Sequence, residues 1–254
     1  MTDASRRRSD VGPFLSYYGS KWKSAWLYPP PQHQVIVEPF AGSAGYSCRY
    51  YKHRVVLIDL NPRIAGIWRY LLKTPASEIL ALPDLEEGQT VDDLPICQEA
   101  RDLVGLWINV AVANPVKRMV AVFRRNLAEN PEWGGAWGPR KREVLARSAE
   151  AVRHWRIHEG GYDLAPNVEA TWFVDPPYQG DAGRFYKCSS KNIDFDALGA
   201  WCRGRRGQVI VCESETATWL PFRPLAKVVS ARMADETSKR MSHEGIWTNE
   251  ERRE

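Results

Sequence analysis

The chain is poor in cysteine and has no long apolar run. Five cysteines occur (Cys48, Cys97, Cys188, Cys202 and Cys212); the number is odd and no two are spaced C-x-x-C. That excludes a disulfide framework and a zinc ribbon and points to a reducing compartment, so a cytoplasmic protein is expected. No stretch of about 18 apolar residues exists to form a transmembrane helix, and no membrane partner is expected. The N-terminus carries Arg6, Arg7 and Arg8 but lacks the apolar core of a signal peptide. A disordered basic tail over residues 1–12, able to touch phosphates, is expected instead. His154 and His158, four apart, fit one helix face, but no acidic or thiol ligand stands at metal spacing, so no metal site is expected. There is no G-x-G-x-x-G fingerprint and no G-K-[ST], which excludes a P-loop. No internal repeat is visible.

What the 254 residues do contain is an ordinary globular composition, 44% hydrophobic, with a net charge of +4. That is enough chain for a real core, as one large domain or one domain with an insertion. The charge is uneven. Between Arg101 and Arg156 there are eleven Lys or Arg against five Asp or Glu. A basic segment in a near-neutral chain fits a nucleic-acid surface, and equally a solvated helix face.

Apolar runs alternate with helical patterns, which argues for a doubly wound α/β sheet. Gln34–Glu38 reads as a strand, followed by Pro39-Phe40-Ala41-Gly42-Ser43-Ala44-Gly45, a run of small residues that lets a backbone approach a ligand and turn into a helix. Arg54–Ile58 reads as the next strand and ends in Asp59. An acid there suits a ribose diol or the cap of a helix beginning at Pro62; both readings stay open. Helix is expected over 62–73, then a proline-rich acidic loop with a short helix. Helical patterning over 98–128 is interrupted near Asn114-Pro115, and a further helix runs from Arg140 to about Arg156. Lys117, Arg118, Arg124 and Arg125 recur seven apart, near one helix face, and with Arg140, Lys141 and Arg142 are the candidate phosphate contacts. Trp133 and Trp137, in the loop between, read as packing residues. The run Thr171–Val174 ends at Asp175-Pro176-Pro177-Tyr178, where two prolines stop the strand and hold an acid and a ring on a stiff turn. A polar loop follows from Gln179 to Asn192. A helix is expected from Asp194 to Arg203, a strand over 208–212, and a last strand near Gly245–Asn249.

The order of these signals resembles the Dam-type, alpha-group DNA adenine-N6 methyltransferases. Those enzymes carry an aromatic G-G-K loop, an E-P-F-x-G loop, an acid after the second strand, and D-P-P-Y. Here the matches are Tyr17-Tyr18-Gly19-Ser20-Lys21 (serine replacing one glycine), Glu38-Pro39-Phe40-Ala41-Gly42, Asp59 and Asp175-Pro176-Pro177-Tyr178. The resemblance implies a Rossmann-like S-adenosylmethionine (SAM) methyltransferase sheet, with helices on both faces, from residues 13–73 and 157–254. A mainly helical target-recognition region would be inserted over 74–156. It implies SAM contacts from Tyr17, Lys21, Glu38, Pro39, Phe40, Ala41, Gly42, Asp59, Tyr162 and Asp175. It also implies that Asp175 and the Pro176 carbonyl accept the hydrogens of an adenine amine, with Tyr178 stacking on a base flipped out of duplex DNA. A monomer, or two molecules per DNA site, is expected. Methylation of RNA adenine or of a protein amide is the rival chemistry. A non-catalytic DNA-binding protein with a vestigial SAM site is the rival class.

Overall fold

The computed structural model describes residues 10–109, 111–179, 190–229 and 241–252. Arg6 to Arg8 and most of the polar loop after Gln179, with its Arg184, Tyr186 and Lys187, lie outside the described residues. The described chain is an α/β fold built on one seven-stranded mixed sheet, ordered β3-β2-β1-β4-β5-β7-β6. β1 is Val35–Glu38, β2 Arg54–Asp59, β3 Arg156–Glu159, β4 Ala170–Val174 and β5 Gly207–Ser214; these five run parallel. β6 (Arg223–Val229) and β7 (Met241–Thr248) close the sheet, with β7 antiparallel to both its neighbours.

Strand residues alternate between two cores, because successive side chains point to opposite faces. Ile36, Val55, Leu57, Phe173, Ile210, Cys212 and Ile246 face a large core with Tyr28, Tyr46 and Trp68. Val37, Ile58, Trp172, Val174, Val209, Val211 and Trp247 face a second core with Leu198, Cys202 and Trp219. Helices α1 (Gly45–Arg49) and α2 (Pro62–Lys73) contribute to the first core, and α7 (Phe195–Arg203) covers the second. The sheet is thus buried on both faces and flanked by helices, as its near-continuous apolar strands require.

The region between β2 and β3 is helical: α2, then α3 (Ala76–Leu80), α4 (Gln98–Trp107), α5 (Ala121–Glu129) and α6 (Pro139–Ala151). Ile79, Leu103, Leu106 and Leu145 belong to the same core cluster as the strands. The break expected near Asn114-Pro115 falls between α4 and α5. Gly105 marks a close approach there, since a Cβ on it would lie 2.7 Å from the Val116 carbonyl oxygen.

Several expectations are corrected. Val11 is buried and the Gly12 amide donates to Ser148 Oγ at 3.0 Å, so the chain is already packed within the span expected to be a loose tail over 1–12. α6 stops at Ala151, and β3 follows as an edge strand. His158 therefore lies on a strand, while His154 sits after the helix with its ring 3.0 Å from the His53 carbonyl. The four-residue pattern Arg-Ile-His-Glu of β3 is largely exposed and polar, so it lacked the apolar signature of a central strand. Lys117 and Arg118 precede α5 and do not share a helix face with Arg124 and Arg125.

Candidate active site

The strand order reverses between β1 and β4, where open α/β sheets bind ligands at the carboxyl ends of their strands. A cleft opens there, lined by Glu38, Asp59 and Asp175 among others. Residue parity explains why the three acids converge. Glu38 continues the face of Ile36, Asp59 that of Leu57, and Asp175 that of Phe173, on three adjacent strands.

The loop after β1 is shaped by two left-handed backbone positions, Gly42 at φ 44° and Ala44 at φ 49°. Its Gly42 amide donates to Asp59 Oδ2 at 2.8 Å, and the Gly42 carbonyl accepts from Trp68 Nε1 at 2.9 Å. The other Asp59 oxygen accepts from the Asn61 amide at 2.8 Å, while Asn61 itself caps α2 by accepting from the Arg63 amide. Capping therefore falls to Asn61, and Asp59 faces the cleft. Each Asp59 oxygen holds one backbone donor, and a carboxylate has lone-pair capacity for about two more. Burial pushes its carboxyl up to about 6, against the pull of the two amides.

The first loop, Tyr17 to Lys23, lies against the start of α1. Contact is so close that a Cβ on Gly45 would fall 2.4 Å from the Trp22 nitrogen and 2.8 Å from the Lys21 carbonyl carbon. Ser43 Oγ and Ser20 Oγ join the two loops at 2.7 Å. On its other side the first loop is held by the inserted region. The Tyr18 amide donates to Val112 O at 3.1 Å, the Ala111 amide to Ser16 Oγ at 3.0 Å, and Trp107 Nε1 to Phe14 O at 2.8 Å.

This packing delivers Lys21, only 6% exposed, to the Asp-Pro-Pro-Tyr turn. Its ammonium lies 3.0 Å from Asp175 Oδ1, 3.9 Å from Glu244 Oε2 and 4.8 Å from the centre of the Tyr178 ring. Burial raises the Asp175 carboxyl above its ordinary value; Lys21 opposes that shift and Glu244 adds to it. Burial likewise pushes Glu38 up to about 8, although the Ser47 amide donates to its Oε1 at 2.7 Å, so at neutral pH Glu38 is mostly a neutral acid. The cleft thus gathers three carboxyl groups, each raised by burial, with the Lys21 ammonium beside Asp175.

Among the sequence candidates, Tyr17, Lys21, Glu38, Phe40, Ala41, Gly42, Asp59, Asp175 and Pro177 line this cleft. Pro39 is buried. Tyr162 stacks on Phe40 with ring centres 5.6 Å apart and meets Trp201 edge-on, so it backs the Phe40 ring. Pro176 is buried and Tyr178 half-buried, and neither lines this cleft; the Tyr178 hydroxyl lies 2.5 Å from Glu244 Oε2.

The basic candidates separate into two groups. Lys141 is 4% exposed, with its ammonium 3.5 Å from the centre of the Trp107 ring, and burial lowers it to about 8. Arg142 is paired with Asp84 through both its terminal nitrogens, and Arg124 donates to the Leu85 carbonyl. Lys141 is therefore a core residue and not a surface phosphate contact; Arg142 and Arg124 brace the helical region. The cause is amphipathic: α6 turns Lys141 inward with Leu145 and Ser148. Lys117, Arg118, Arg125 and Arg140 are exposed, with Lys117 paired to Asp92 at 2.5 Å and Arg140 to Glu143 at 2.9 Å. Trp137 is buried and donates to the Pro83 carbonyl; Trp133 stacks on Phe123.

Sequence reasoning missed Glu244, Glu213 and Tyr28. Glu213 is fully buried and accepts from the amides of Gln179 and Ser214 and from Trp219 Nε1, so it fixes the chain just after Tyr178. An acid inside the run Val-Ile-Val-Cys-Glu, or two residues before Ile246 on an inward face, was the available signal.

No protein-family model matches the chain, and no curated protein matches it. Among the described residues, no group of three or more His, Cys, Asp and Glu side chains could hold a metal ion, and no helix is long and apolar enough to cross a membrane.

Proposed function

We propose that this protein is a SAM-dependent adenine-N6 methyltransferase acting on DNA. The observation that carries the reading is the meeting, in one cleft, of the loop Phe40–Gly42, the Asp59 carboxylate and the Asp175 turn. The first two lie close together in the chain, and the Asp175 turn comes more than a hundred residues after Asp59. The residues fit the cofactor. Asp59 has spare acceptor capacity for a ribose diol, Gly42 keeps the backbone beside the Tyr17 ring where a Cβ would sit 3.4 Å away, and Phe40 and Tyr17 offer apolar faces. When bound, the cofactor supplies a methyl group already activated as an electrophile, so the protein's task is orientation and charge placement.

Asp175 and the Pro176 carbonyl accept the two hydrogens of the target amine. This draws its nitrogen out of conjugation and aims the lone pair toward the donor site. As positive charge builds on the nitrogen, the Asp175 carboxylate stabilises it in a partly buried setting where charge interactions are stronger than in water. Lys21, 3.0 Å from Asp175 Oδ1, opposes the burial that raises this carboxyl and so favours its ionised form. Tyr178 supplies a ring for a flipped base.

Two expected results follow from the geometry. Ionised Asp59 is the form that accepts ribose hydroxyls, and its carboxyl titrates at about 6. SAM affinity is then flat well above pH 6 and weakens as pH falls through it, by about tenfold at one unit below. Calorimetric titration of SAM from pH 5 to 8 checks this, and Asp59→Asn should remove the dependence. An affinity that rises on acidification excludes the assignment.

The second concerns the nucleic acid. Because Lys141 and Arg142 are built into the fold, the exposed cations Arg118, Arg125 and Arg140 are the ones to test. Replacing all three by alanine is expected to weaken duplex binding and reduce the salt slope by about 2.7, at roughly 0.9 per phosphate contact. An unchanged slope places the nucleic acid elsewhere. Methyl transfer to adenine-containing RNA but not to duplex DNA would redirect the substrate while leaving the chemistry intact.

A further inference from the structure

β7 brings a second carboxylate to the Asp175 turn. Glu244 shares a face with Ile246, toward the core that contains Tyr28 and Cys212, and it is 8% exposed. Gly245 lets it get there: a Cβ at that position would lie 2.9 Å from the backbone of Glu215, so only glycine allows β7 to pass so close to the end of β5. One oxygen of Glu244 then gathers three partners from three separate segments. The Tyr178 hydroxyl donates to Oε2 at 2.5 Å, the Tyr28 hydroxyl at 3.4 Å, and the Lys21 ammonium lies 3.9 Å away. Tyr28 is itself fixed, with its ring edge-on to Phe173 at 5.2 Å.

We infer that Glu244 is a positioning residue that sets the plane of the Tyr178 ring, and through it the stacking of the target base. This rests on the amine-acceptor reading of the Asp175 turn. A tyrosine ring rotates about two side-chain bonds, and the turn's prolines fix only its backbone. A charged acceptor at the far end of the ring removes the remaining freedom, and the Lys21 ammonium compensates the acceptor's charge without displacing the hydroxyl. Glu244 touches neither base nor cofactor in this role. Its effect passes through the Tyr178 hydroxyl.

The test is a double-mutant cycle on the full-length protein, with methyl transfer to adenine-containing duplex DNA followed alongside SAM affinity. A hydrogen bond to a charged group is strong enough that Tyr178→Phe and Glu244→Leu should each lower kcat/KM about tenfold, with SAM affinity unchanged. In the Tyr178→Phe background, Glu244→Leu should cost less than about twofold more. Glu244→Gln keeps an acceptor and should recover most of the loss, which a purely structural role for the charge would not produce. Tyr178→Phe indistinguishable from wild type overturns the inference whether or not the Glu244 variants fold. Full additivity of the two losses also overturns it, while leaving the methyltransferase reading in place. Wild-type protein that binds SAM and methylates neither DNA nor RNA removes that reading, and this role with it.

Discussion

Asp175→Ala is expected to reduce methyl transfer at least about a thousandfold, since in the proposed function the side chain serves as hydrogen-bond acceptor and as counter-charge at the nitrogen that gains positive charge. Asp175→Asn keeps an acceptor and loses the charge, so it should lie between the two, near a hundredfold loss. SAM binding should survive in both variants. Asp59, Gly42 and Phe40 are untouched, and Lys21 keeps Glu244 and the Gly19 carbonyl, the latter at 3.3 Å. The measurement is transfer of a labelled methyl group from SAM to adenine-containing duplex DNA, with SAM affinity by calorimetry as the control. An alanine variant that retains more than about a tenth of wild-type activity contradicts the role given to Asp175. If it loses SAM binding as well, the residue serves the cofactor more than the amine.

Gly45→Ala should have the second largest effect. The added carbon would meet backbone atoms, the Trp22 nitrogen at 2.4 Å and the Lys21 nitrogen at 2.9 Å, which no side-chain rotation can relieve. Either α1 or the first loop must move. Overpacking of this kind costs about 1–3 kcal/mol, and the loop that moves carries Tyr17 and Lys21. The expected outcome is a lower melting temperature together with at least about tenfold weaker SAM binding. Thermal melts with and without SAM separate the two parts. Full SAM affinity in this variant would mean the first loop is not part of the cofactor site.

The sequence was most legible where one local rule acted alone. Pro62 started α2 where proline chemistry said it would, though the cap is Asn61 and not Asp59, and Asp194 caps α7 by accepting from the Ala197 amide at 2.9 Å. The acids at the ends of β1, β2 and β4 were legible because an apolar strand ending in a charge is a local pattern. β3 was not, since an exposed edge strand has no apolar face to display. Nor was the fate of Lys141. Three consecutive cations read as a surface, yet successive helix residues point in directions about 100° apart, and here the middle one turns inward onto a tryptophan face. Glu244 is the most informative miss. Its meaning depends on Tyr178 and Lys21, both far away in sequence, and on a glycine whose value lies in what passes beside it.

The bonds from Trp107, Ala111 and Val112 to the first loop also bear on whether the inserted helical region can be exchanged. An insertion joined to the sheet only by its two ends would be exchangeable as a cassette. Here the stretch after α4 buttresses the very loop that carries Tyr17 and Lys21. A chimera that replaces residues 74–156 wholesale removes that buttress. One that splices after Val112 keeps it, so the exchangeable part of the inserted helical region begins at about α5.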